Sequence, residues 1–120
     1  MPDVPVWDVS GWLAEALEGL NLPISEEPMR KKADTSDYIT WQQTSRANRF
    51  ASGRLTGQSV RVAVSLWALP DSDWQQGVQA IANALSSAGA ASVRPGTEVW
   101  HPDLGRRQAL IYALLKRQVQ

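Results

Sequence analysis

The stretch QALIYALLK, residues 108–116, sets Ala109, Ile111, Ala113 and Leu115 at one series of alternate positions and Leu110, Tyr112 and Leu114 at the other. Read as a β-strand, whose side chains point to opposite faces in turn, it is apolar on both sides. Such a strand needs cover twice, either centrally within its own fold or once by its own helices and once by another molecule. Alanine and leucine are also good helix formers, so a third helix over these residues is the competing reading.

Two other segments supply the first cover. Val9, Leu13, Ala16, Leu17 and Leu20 recur with the 3.6-residue period of a one-sided helix, with Asp8 or Ser10 as its cap and Asn21 and Pro23 as stop signals. After Pro70, Trp74, Val78, Ile81, Ala82 and Leu85 repeat that spacing. Ser72 and Gln75 match a capping box there, Asp71 and Asp73 suit the positive end of the helix dipole, and Gly89 ends the run. Each large apolar side chain on these stripes contributes roughly 1.5 to 3 kcal/mol on burial. With both helices on one side of a sheet, the second face of residues 108–116 is left for a neighbouring copy. Trp67, Trp100 and Tyr112 are expected on that outer face.

Val60 to Ala68 alternates cleanly, with Val60, Val62, Val64 and Leu66 on one face and Arg61, Ala63, Ser65 and Trp67 on the other. Tyr38 to Gln43 begins β-branched and aromatic, and the two segments read as strands of one hairpin. Thr97 to His101 is a short strand before Gln108 to Lys116, and Pro102, Asp103 and Gly105 mark the turn between them. Pro23 to Ser36 has two prolines, charge blocks and no period, so it reads as an exposed connector. Its run Arg30, Lys31 and Lys32 reads as solvated surface rather than a nucleic-acid footprint. The fold class that follows is α+β: a mainly antiparallel sheet of about four strands, two amphipathic helices on one face, order α-β-β-α-β-β. The 120 residues suffice for a single domain, 1–120, with one core.

Between the strands of the first hairpin lie about a dozen polar and basic residues, where a tight connection needs about two to five. Residues 44–57 are therefore expected to form an extended flexible loop. Its Arg46, Arg49 and Arg54 are candidates for contact with carboxylates or phosphates, which the planar guanidinium engages bidentately.

Formal charge is zero but segregated: residues 1–45 carry eight acids and three bases, residues 46–120 four acids and nine bases. That asymmetry suits head-to-tail contact between copies as well as pairing within one molecule. The chain has no cysteine, which removes disulfides and thiolate metal sites and fits a reducing compartment. The first twenty residues lack the basic start and apolar run of a secretion signal, and no segment is apolar enough to span a membrane.

Chemistry is thinly represented. His101 is the only histidine, with Asp103 close by in HPD, but no nucleophile completes a catalytic set. Spacings for calcium, zinc or a phosphate loop are missing, and SGRLTG reads as a loop tip. Six tryptophans in 120 residues weight the reading towards assembly rather than catalysis. No enzyme activity, metal or cofactor is expected.

In their order, VSGWLAEALEGL, DYITWQQTS with its basic loop, VRVAVSLWA, DSDWQQGVQAIANALSSAG, EVWHPD and RRQALIYALLKR resemble the small tail terminator or tail completion (head-tail joining) proteins of long-tailed bacteriophages. The likeness spans nearly the whole chain and rests on segment order, length and character. It implies a structural virion protein, assembled in the bacterial host cytoplasm. Such a protein forms a ring, often a hexamer, that caps the tail tube, stops its polymerisation and docks to the connector at the head neck. It also implies that residues 44–57 reach the ring lumen or an adjoining protein, and that DNA passes the lumen without tight specific binding. The alternatives are a small interaction module that binds an acidic protein or nucleic acid through its basic loop, and, third, a small enzyme.

Overall fold

The computed structural model describes residues 7–27 and 36–119. The run Arg30, Lys31 and Lys32 lies outside them. Helix α1 (Val9–Leu17) continues into a single 3-10 turn, Glu18–Leu20, and is followed by β1 (Ile24–Glu26), β2 (Tyr38–Ala51), β3 (Arg54–Ala68), α2 (Trp74–Ser87), β4 (Ser92–His101) and β5 (Arg106–Gln118). The fold is α+β, with a five-stranded mixed sheet in the order β1-β2-β3-β5-β4.

Both helices form where the apolar period places them. The Asp8 carboxylate accepts from the Gly11 N–H at 2.9 Å, and Asn21, in the left-handed conformation at φ 56°, closes the helical segment. At α2 the cap differs from the capping box expected at Ser72 and Gln75. Asp73 accepts from the Gln76 N–H at 3.2 Å, while the Ser72 hydroxyl donates to Asp37 at 2.6 Å and ties the start of α2 to the start of β2.

Val9, Leu13 and Leu17 of α1 and Ile81 and Leu85 of α2 bury against Val60, Val62, Val64 and Leu66 of β3 and Ala109, Ile111, Ala113 and Leu115 of β5. The helices therefore share one face of the sheet, and residues 108–116 are strand, not a third helix.

Three expectations are corrected. The connector at Pro23–Ser36 contains β1, which pairs in parallel with β2 in the register Ile24 with Ile39 and Glu26 with Trp41. Strand β4 begins five residues before Thr97 and pairs as far as Ser92 with Leu114. Most consequentially, residues 44–57 are not a flexible loop. Strands β2 and β3 stay paired through Ala51 with Arg54, and Ser52 and Gly53, at φ 53° and 76°, make a two-residue turn. Two successive residues with positive φ match the twist of the flanking strands, which is why this turn type closes hairpins.

Candidate interaction surfaces

The ribbon of β2 and β3 carries the molecule's long dimension, 54 Å against 25 and 23 Å. Strand β5 supports it as far as Gly57, paired with Gln118, and the Val119 N–H donates to the Thr56 carbonyl at 3.0 Å. The arm's root is pinned by side chains: Gln58, fully buried, donates to Asn48 at 3.2 Å and accepts from Arg117 at 2.6 Å, while the Arg117 guanidinium lies over Trp7. Beyond Gly57 the hairpin is two-stranded, and at about 3.3 Å per residue its tip projects by roughly 13 Å.

The three loop arginines do not converge. Arg46 pairs with Val60, a helix-side core position, and so stands on the helix-bearing side. Arg49 pairs with Gly57 on the opposite side, where a Cβ on Gly57 would collide with its guanidinium, and Arg54 sits beside the turn. Facing changes along the arm because β2 carries an extra residue, Thr44, between Gln43 and Ser45. At the tip Phe50, 59% exposed, pairs with Leu55. The long polar run marks the arginines in the sequence, whereas Phe50, beside Ala51 alone, belongs to no apolar period.

The sheet face away from the helices is divided. Towards the Tyr38 end it is closed by its own side chains. Trp67 lies on this face, as its alternation requires, but is 0% exposed rather than an open contact residue. It stacks on Tyr38 at 6.0 Å and meets His101 at 5.0 Å, and its indole N–H donates to Thr40 at 2.8 Å. The buried Arg106 covers Tyr38 and donates to the carbonyls of Ser36 and Trp67 at 2.9 and 3.2 Å. His101 donates through Nε2 to Gln108 at 2.8 Å, and Gln108 donates to Ser65, so this histidine is engaged within the sheet while Asp103 is exposed in the turn.

The other half of that face is open. Leu110 and Leu114 flank Tyr112, 37% exposed, with the Arg94 guanidinium 5.9 Å from the Tyr112 ring centre. Thr44, Arg61, Ser92, Arg94, Tyr112 and Leu114 line a shallow groove of about 140 Å³. Arg49, Arg61, Arg94 and Lys116 all occupy outward positions here, and no outward strand position carries a carboxylate. Glu27 reaches this side only at the closed end, where it accepts from Thr40.

Trp100 is not part of this surface. Between Pro95 and Glu98 strand β4 advances three residues while β5 advances two, and the extra residue reverses the alternation. Trp100, 44% exposed, therefore pairs with Arg107, whose guanidinium lies over Trp74 of α2 and bonds Glu98 at 3.4 Å, on the helix-bearing side.

On that side the sheet carries Arg46 and Arg107, but the helices themselves carry acids and no cation. Helix α1 and its 3-10 extension carry Glu15 and Glu18, and α2 carries no charged residue. Between the helices runs a groove of about 430 Å³ lined by Trp12, Glu15, Ala16, Ala84, Ser87 and Ala88. Among the described residues, no group of three or more histidine, cysteine or acidic side chains is placed to hold a metal ion, and no helix is long and apolar enough to cross a membrane. Compared with known proteins, the chain matches no family model and no curated protein.

Proposed function

We propose that this chain is a structural, non-enzymatic assembly protein: a ring-forming adaptor of the tail terminator or head-tail joining kind, from a phage or prophage. In this reading it caps a tail tube, ends tube polymerisation and meets a neck protein, and DNA passes the lumen. The observation that carries the reading is the open half of the outer sheet face, apolar at Leu110, Tyr112 and Leu114 and bordered by cations without outward carboxylates. A surface of that composition suits a partner that is acidic around an apolar centre. The helix-bearing side of a second copy has that character, through Glu15 and Glu18. Stacking the outer face of one copy on the helices of the next is a heterologous contact, and such contacts close into rings when the rotation permits. The projecting arm and the two helices on one sheet face are the further features that support this reading. Assembly on the tail would place the protein in the virion.

The test is sedimentation of the purified chain alone and with tail tube protein. A ring, alone or formed on the tube, with tubes that stop lengthening once it is added, supports the proposal. A monomer under both conditions that leaves tube length unchanged overturns it. The same basic face also favours a second reading, a module binding an acidic protein or nucleic acid. Salt-dependent retention of single- or double-stranded DNA, lost on reversing Arg61 and Arg94, would select that reading.

A further inference from the structure

We infer that the tip of the hairpin arm inserts Phe50 into the groove between α1 and α2 of a neighbouring copy. This deepens the ring reading and rests on it. Phe50 and Leu55 form an apolar cross-strand pair at the end of a paired, projecting ribbon, between Arg49 and Arg54. A hairpin already paired through Ala51 with Arg54 loses less conformational freedom on docking than an unpaired loop would, so its exposed phenyl ring serves as an anchor.

Charge selects the receiving surface. The outer sheet face is basic and repels a tip flanked by arginines. The groove beside Trp74 contains Glu98, already bonded to Arg107, and the groove beside Leu20 contains Asp73, already capping α2. The α1–α2 groove has Glu15 at its rim and Glu18 one turn on, and no described residue pairs with either carboxylate. Its small side chains, Ala16, Ala84 and Ala88, leave room for an aromatic ring against Trp12. Tip and groove are complementary in charge and shape, and they belong to different surfaces of the same chain, so the contact runs head to tail.

The chain contains no cysteine, so a crosslinking test starts from a clean background. Differently tagged Phe50→Cys and Ala84→Cys chains, mixed and oxidised, are expected to give the mixed disulfide in preference to either homodimer. Phe50→Ala should weaken self-association by about tenfold or more, since exposed anchor residues carry that share of an interface. Arg49→Glu with Arg54→Glu should weaken self-association and the mixed disulfide together. Unchanged circular dichroism and thermal melting of each variant show that folding is intact. Association unaffected by Phe50→Ala and by arm reversal, yet lost in Tyr112→Ala, overturns the arm contact and leaves the ring standing. A wild-type chain that stays monomeric up to millimolar concentration and with tube protein, together with Phe50→Cys and Ala84→Cys chains that give no mixed disulfide, overturns both.

Discussion

The Trp67 indole N–H donates to the Thr40 hydroxyl at 2.8 Å, with both residues fully buried, and this bond locks the closed end of the outer sheet face. Thr40 passes the bond on to Glu27, so the short strand β1 is fastened to the sheet by a side-chain chain as well as by its own ladder. Trp67→Phe keeps an aromatic ring against Tyr38 but leaves the Thr40 hydroxyl with one partner fewer. It should cost about 1 to 3 kcal/mol in chemical denaturation. Trp67→Ala should cost about 3 to 5 kcal/mol, because it also opens a cavity. An unchanged midpoint for both would show that this end of the sheet is not packed as described.

Gly77 tests how closely α2 lies on the sheet. A Cβ there would stand 2.7 Å from Leu66 Cδ2, and Leu66 is itself buried in the core. Alanine gains about 1 kcal/mol of helix propensity over glycine. Overpacking a closely filled core costs about 1 to 3 kcal/mol. The clash wins, so Gly77→Ala should lower the melting temperature instead of raising it as at an exposed helix position.

The arm's turn can be strengthened or weakened without touching the core. Ser52 and Gly53 both hold positive φ, which asparagine followed by glycine satisfies best. Ser52→Asn should slow amide exchange in residues 49–56. Gly53→Ala should speed it, because a left-handed alanine costs about 1 to 2 kcal/mol. Neither change should move the global melting transition by much.

The hairpin also shows where legibility in the sequence ends. The helices and the inner halves of β3 and β5 were readable because their apolar periods record a core on one side. The arm has no core on either side, so Thr44 to Phe50 carries no period, although Ser52 and Gly53 were a turn signal in plain view. Strand β1 was hidden by its length of three residues beside a proline. Alternation puts Trp67 on the correct face, but its cover comes from Tyr38, His101 and Arg106, brought together only by register. Alternation fails for Trp100 because one bulge residue in β4 inverts every position after it.

Arg61 and Arg94 give the converse of Trp67. Both are exposed at the groove beside Tyr112, where the Arg94 guanidinium over the Tyr112 ring is a contact worth about 0.5 to 1 kcal/mol at an exposed site. Exposed substitutions away from packed or bonded features usually stay within about 0.5 kcal/mol. Arg61→Glu with Arg94→Glu should therefore melt close to the unaltered chain. The proposed assembly depends on the opposite property: in it, cations on one surface and carboxylates on another steer copies together, and salt screens that attraction over about 8 Å at physiological ionic strength. The unaltered chain should associate more weakly as salt rises, and the double reversal should lose both the association and its salt dependence. Sedimentation across a salt series separates these outcomes. A double reversal that assembles with the same salt slope would remove the basic sheet face from the interface, whereas one that fails to fold would mean that these arginines hold contacts within the protomer.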